Sequence, residues 1–382
     1  MKKLLIASAV SALFAAPATV LAQAKPAPAP TLDKVLEASG ISVSGYIDTA
    51  YSYSNRNLET GFSDRVFDSQ NNTFTLHQFG LMVAKQPKEG FGGVVNLTAG
   101  KDAQVIHSLP ETTSPANAVN STSMFDVTQA FLQYATGPLT VMAGKYVTLQ
   151  GSEVIWTPTN VNSSHSILFG AIPFTHTGVR ATWALSDTVS LIAGVNNGWD
   201  QLTDSNKGKT LELGATLNPI KPLSITLSGY SGSEPTSATT NGTRTSLNAV
   251  ASYTIIDPLT VGVEVLDVSQ DNVGGKTAKY NGAALYVTYM FMPKLRGVLR
   301  AESFDDKNGF HFGAGLPAAL GLATSDTKYR EVTATVSFLA SDSFEARAEV
   351  RRDQATNTVF TDSTGALSKT MMSVALQGLY KF

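Results

Sequence analysis

Five histidines, at positions 77, 107, 165, 176 and 311, are the first residues to test for chemistry. A hydrolase would need one of them beside an activated serine, and no GxSxG nucleophile turn accompanies any of them. His165 and His176 have no second histidine or carboxylate at ligand spacing, so no metal centre is expected. The pairs Asp305–Asp306 and Asp267/Asp271 could hold a divalent cation loosely, but they read more simply as solvated loop acids. With no cysteine, the chain has no disulfide, no thiol chemistry and no lipoprotein anchor. Basic and acidic residues balance at 28 against 30, without a basic block, so neither nucleic acid nor a cofactor is an expected partner.

The charged residues that remain fall into a different order. In 342–351, Phe344, Ala346, Ala348 and Val350 alternate with Glu345, Arg347, Glu349 and Arg351. A strand turns successive side chains to opposite faces, so this segment has one apolar face and one wholly charged face. The same period of two recurs in 188–196, 209–217 and 222–228. Extending the phase along the chain collects Lys145, Arg180, Arg244, Arg296, Arg300, Arg347 and Arg351 on the polar face. Asp48, Glu212, Glu264, Glu302, Glu331, Glu345 and Glu349 fall on the same face. Facing a solvated lumen, such groups would tune ion preference, or pair with neighbours, such as Glu302 with residues beside Arg300, and serve as solvated wall. The densest basic group, Arg296, Arg300, Arg347 and Arg351, forms a wall that would attract anions.

The elements that must carry these faces number about sixteen. Segments start near 41, 73, 91, 125, 138, 175, 188, 209, 222, 243, 258, 278, 294, 327, 342 and 369. Short connections such as Gly137-Pro138 and Asp257-Pro258 alternate with long ones at 54–72, 102–124, 149–174, 199–208, 231–242, 269–277, 305–326 and 354–368. Only 15% of residues are charged, against about 25% in an ordinary soluble domain. The pattern predicts an all-β fold: a transmembrane antiparallel β-barrel over 41–382, with short periplasmic turns and long outer loops. Residues 1–22 read as a signal peptide, with Lys2 and Lys3 before the apolar stretch Leu4–Ala16. Residues 23–40 read as a periplasmic segment with one short helix ending at Gly40. The predicted location is the bacterial outer membrane.

The aromatic residues test this independently. Given strand directions from the loop alternation, Tyr134, Trp183, Tyr253, Tyr289, Phe338, Phe344, Tyr380 and Phe382 fall on the apolar face near the short-turn ends. A girdle at one membrane interface places rings there. A soluble β-sandwich has no reason to do so. The third long loop, 149–174, carries Glu153, Asn160, Asn162 and His165. It reads either as a constriction folded into the pore or as a plain surface loop.

The closing LQGLYKF resembles the C-terminal strand of outer-membrane proteins, which the barrel assembly machinery recognises. GYIDTAYSYSNRN, DRVFDSQNNTFTLHQFGLMVAK, NLTAGKDA, GKYVTLQGSEVI and SILFGAIPFTHTGVR are similar to segments of the OmpL-like β-barrel porin family, over nearly all of the exported chain. The resemblance implies an outer-membrane barrel, in contact with lipid, with pore activity; about sixteen strands leave an aqueous channel, so small polar solutes or ions would pass by passive diffusion, and no nucleophile motif points to an enzyme. A substrate-specific channel, a barrel hydrolase and a non-conducting surface barrel remain as alternatives. Assembly as a homotrimer is an expectation by analogy with barrels of this size.

Overall fold

A computed structural model describes residues 31–56, 65–68, 70–108, 123–237, 239–313 and 325–382. The signal peptide assigned above and residues 23–30 of the periplasmic segment lie outside the described residues. The described part of that segment contains helix α1 (Leu32–Ser39), followed by Gly40 at φ +67°, a left-handed stop that glycine adopts without strain. The barrel unit runs from Gly40 to Phe382.

In chain order the barrel strands are β1 (Ser42–Ser54), β2 (Thr73–Lys85), β3 (Gly90–Ala99), β4 (Phe125–Thr136), β5 (Leu139–Val147), β6 (Thr175–Ser186), β7 (Val189–Asn196) and β8 (Thr210–Ile220). They continue as β9 (Leu223–Pro235), β10 (Asn241–Ile256), β11 (Leu259–Val273), β12 (Lys276–Met292), β13 (Leu295–Asp306), β14 (Thr327–Leu339) and β15 (Phe344–Ala355). A two-stranded flap, β16 (Phe360–Thr361) and β17 (Leu367–Ser368), sits in the last long loop before β18 (Thr370–Lys381). Each barrel strand pairs antiparallel with its sequence neighbour, and β18 closes the cylinder by pairing with both β15 and β1. The result is a closed barrel of sixteen strands with no free edge.

The period of two fixes the faces. Leu191, Leu213, Leu227, Leu247, Val265, Leu285, Leu299, Val332, Val350 and Leu376 are exposed on the outer wall. No helix among the described residues is long and apolar enough to cross a membrane; the strands make the crossing. The eight predicted girdle aromatics, Tyr134, Trp183, Tyr253, Tyr289, Phe338, Phe344, Tyr380 and Phe382, are all exposed on this outer face. Tyr380 and Phe382 lie 6.2 Å apart, beside the β1–β18 seam.

Two predicted long loops are corrected. Residues 231–242 are mostly strand, with β9 and β10 paired up to Pro235–Asn241. Residues 269–277 are a hairpin, irregular between Gln270 and Val273, in which β11 and β12 pair up to Val273–Lys276. Gly274 and Gly275, at φ +57° and +76°, form its two-residue turn, the left-handed pair that matches strand twist. Polar outward residues such as Asp267 and Asn281 obscured this extension. They pair across strands at the upper end of the wall, where alternation of apolar and polar residues no longer signals a strand.

Candidate functional site

The site is built where lumen-facing side chains meet the connection between β5 and β6. That loop, residues 149–174, lies against the inner wall, and its apolar side chains Ile155, Ile167, Leu168, Phe169, Ile172 and Phe174 are buried. They pack with Tyr280, Tyr286, Phe304 and Tyr329, lumen-facing residues of β12, β13 and β14. A loop with this many apolar residues cannot stay in water, and the inner wall supplies the matching apolar surface. The loop therefore packs against lumen-facing residues of β12, β13 and β14.

Carboxylates on the wall then bind the loop backbone. Glu302 accepts the N–H groups of Ile167 and Leu168 at 2.7 and 3.1 Å. Glu349 accepts those of Ser163 and Ser164 at 2.7 and 3.0 Å, and the Thr335 hydroxyl at 2.7 Å. Glu264 accepts Ser152 N–H at 3.0 Å and the Asn248 amide at 2.9 Å. Each carboxyl group thus fixes at least two donors at once and acts as a rivet.

Guanidiniums grip the carbonyls from the same wall. Arg347 donates to Asn160 O and Asn162 O at 2.8 and 2.9 Å. Arg351 donates to His165 O at 2.5 Å and pairs with Asp353 at 2.6 Å. Arg300 donates to Ser164 O at 2.6 Å and bridges Glu153 and Glu331 at 2.8 and 3.1 Å. Three of the four arginines of the basic wall are thus buried and engaged, which corrects the expectation of a solvated anion-attracting surface. Alternation reports which face a residue occupies; it carries no information about what covers that face. Arg296, paired with Glu345, keeps partial exposure.

Within the loop, Glu153 bonds Ser166 N–H at 2.9 Å and His165 Nδ1 at 3.0 Å. Burial pushes its carboxyl up, but Arg300, His165 and the Ser166 N–H outweigh burial and bring it down to about 2. Burial lowers the His165 imidazole, and Glu153 and Asp68 outweigh that to leave it raised. Asn160 closes a turn through Val154 N–H and O at 3.0 and 2.7 Å, and Asn162 donates to Thr335 at 2.7 Å. Trp156 stands edge-on to Tyr46 of β1 at 4.6 Å. The loop therefore crosses the lumen from the β10–β11 wall to β1.

The opposite wall is also paired. Lys145 bridges Asp126 at 3.2 Å and Val127 O at 2.8 Å. Arg180 bridges Glu212 at 2.6 Å and lies over the Tyr146 ring at 4.2 Å. Nearer the short turns, Ser190, Thr216 and Thr226 form one cross-strand row of partly exposed lumen-facing hydroxyls, with Ser224 and Ser252 exposed below.

Sequence reasoning missed a second inward segment, Arg65–Asp68. Phe67 packs on His165, Phe169 and Phe174 at 4.5, 5.3 and 5.3 Å. Arg65 pairs with Asp353 and donates to Ser373 at 2.9 Å. The signal was a charge–aromatic–charge run inside a stretch otherwise read as a surface loop.

A closed sixteen-strand barrel with a greasy outside, an aromatic interface and a loop folded within defines an outer-membrane porin. The chain belongs to the family described as "Putative beta-barrel porin-2, OmpL-like", whose model matches residues 40–378. It is a channel of the bacterial outer membrane for passive diffusion. No curated relative matches the sequence.

Among solved structures, the chain is similar in fold to the outer membrane channel DcaP of Acinetobacter baumannii. The two share 15% identity with TM-score 0.59, over 90% of this chain and 97% of that one. It is similar to OprB of Pseudomonas putida, at 12% identity and TM-score 0.60, over 91% and 96% of the two chains. It is similar also to an anion-selective porin from Comamonas acidovorans, at 11% identity and TM-score 0.59, over 90% and 99%.

Proposed function

We propose that this porin is a narrow, loop-constricted one, in which residues 149–174 set the aperture and small polar solutes and ions pass without catalysis. The observation that carries the reading is the clamp. Glu302, Glu349 and Glu264 hold loop N–H groups, while Arg300 and Arg347 hold loop carbonyls. A loop bound at this many points is a fixed wall, so size selection is built into the resting fold. The hydroxyl row Ser190–Thr216–Thr226 gives the short-turn end of the lumen a lining without net charge, suited to hydrated solutes of either sign.

The working unit is a homotrimer, a form that one fold neighbour, OmpT of Vibrio cholerae, is described as taking. The final strand, with Tyr380 and Phe382 outward, is the segment offered to the barrel assembly machinery. Single-channel recording of the refolded protein in a planar bilayer tests the reading. Steady small-conductance openings that do not saturate with solute are the expected result. Saturable block by one solute would favour a substrate-specific channel, ester turnover a hydrolase, and no current a surface barrel.

A further inference from the structure

Two arginines stand on the outside of the barrel, where lipid rather than the lumen is the neighbour. Arg330 of β14 and Arg352 of β15 are both exposed. In the ladder Arg330 faces Gln354 and Arg352 faces Val332, so the two are diagonal neighbours on one face, with Cβ atoms about 7–8 Å apart. The lumen-facing arginines pair with carboxylates. Among the described residues, neither Arg330 nor Arg352 has an ion-pair partner. Asp305, diagonal to Arg330, is held by Lys307 and Lys328 at 3.2 and 3.4 Å.

Their height in the wall says what could satisfy them. Arg330 is eight residues above the girdle ring Phe338, and Arg352 eight above Phe344. At about 3.3 Å per residue along a strand tilted about 40°, that is about 20 Å of height. The apolar band of such a barrel is about 25 Å tall. Both guanidiniums therefore emerge near its upper edge, the level of the outer-leaflet headgroups, above the apolar side chains Val332 and Val350. A guanidinium offers a planar fork of donors that matches phosphate oxygens.

Beside them the wall is hollowed. A groove of about 1080 Å³ crosses the outer face from β8 to β14, with the small residues Gly229, Ala249 and Ala283 among its lining. Its near end is bounded by Ser303 and Lys328, and Ser303 is the ladder partner of Arg330. Phosphate-binding fork and apolar trough are thus contiguous.

We propose that Arg330 and Arg352 clasp the phosphate of an anionic outer-leaflet lipid, whose acyl chains lie in the near end of this groove over Ala283. The site goes beyond the channel reading and holds whether or not the barrel conducts. A free anion lacks the chains that the groove accepts, and a zwitterionic lipid brings a cation toward the two arginines.

The experiment is native mass spectrometry of the refolded protein in dodecyl maltoside micelles doped with phosphatidic acid, or with phosphatidylcholine as the zwitterionic control. Wild type, Arg330→Gln, Arg352→Gln and the double variant are compared, with folding checked by heat-modifiable gel mobility. Each substitution removes a charge from the lipid face, so folding is not the obstacle. Wild type retains phosphatidic acid. Each single variant weakens retention about tenfold, the effect of one hydrogen bond to a charged group, and the double variant holds it no better than phosphatidylcholine. Equal retention by wild type and the folded double variant overturns the proposal, as does equal retention of the two lipids by wild type. Displacement of phosphatidic acid by an equimolar amount of inorganic phosphate also overturns it, because the site then recognises the anion alone. Ala283→Trp fills the near end of the groove and leaves the arginines in place; retention falls if the chains lie there. Subunits that separate in this variant while the lipid stays bound assign the groove to a second copy of the chain and overturn the proposal.

Discussion

Replacing Glu302 with alanine should free the third loop without opening the barrel. The Glu302 carboxylate accepts Ile167 N–H at 2.7 Å and Leu168 N–H at 3.1 Å, all in buried positions. A hydrogen bond contributes about 0.5–1.5 kcal/mol net, so the pair contributes about 1–3 kcal/mol to holding this part of the loop. Arg300 keeps Glu331 and Glu153 as partners, so no charge is orphaned on the wall. Each 1.36 kcal/mol is a factor of ten, so the Ile167 and Leu168 amides should exchange with solvent about 5 to 150 times faster. The strand amides of β13 and β14, bonded in the ladder, should exchange as before. Amide exchange of the detergent-solubilised protein, read by mass spectrometry on peptides spanning 160–174, measures this directly, and channel noise should rise in parallel. Glu302→Gln, which keeps one acceptor, should show a smaller acceleration. Exchange in 160–174 identical to wild type would refute the riveted loop and with it the fixed aperture.

Other outcomes follow from the same geometry. Leu299→Arg puts a charge on the lipid face about four residues above the Leu295–Phe338 pair; urea titration of folding into vesicles should show a loss of about 2–4 kcal/mol. Gly80→Val forces a Cβ to within 2.2 Å of the Tyr46 ring, which Trp156 backs at 4.6 Å, so the variant should fold poorly or carry a displaced loop with altered conductance. The His165–Glu153 contact gives a pH dependence. The raised imidazole contributes stability that is present below the ordinary histidine range and lost as pH climbs through its folded value. The lowered Glu153 carboxyl contributes stability lost only as pH falls toward about 2. Channel noise should therefore grow on alkaline titration, and His165→Gln should abolish that dependence.

Much of this architecture was legible because a lipid-facing barrel writes its two environments into alternate residues. Segments such as 342–351 could be phased by inspection, and strand starts came within a few residues of those observed. The lumen was harder. Nothing in the spacing of Arg300, Arg347 and Arg351 distinguishes a guanidinium in water from one gripping a carbonyl, because the partner is a loop 136 to 187 residues away along the chain. The apolar run Ile167–Leu168–Phe169 was the available sign that 149–174 buries itself, and attention to its asparagines hid it. Arg65 and Phe67 were missed for the same reason: a loop's destination is set by what it meets, not by its own period.

The seam where β1 meets β18 has a consequence for biogenesis. Tyr46 pairs with Lys381, so the ladder that closes the cylinder joins residues more than three hundred positions apart in the chain. Until that happens the nascent sheet presents two raw borders, each able to recruit a stray strand. Such distant closure is slow. An escort that shields both borders until the final hairpin arrives is therefore a physical requirement of this topology, and a chain truncated before Thr370 should aggregate rather than settle into a smaller cylinder.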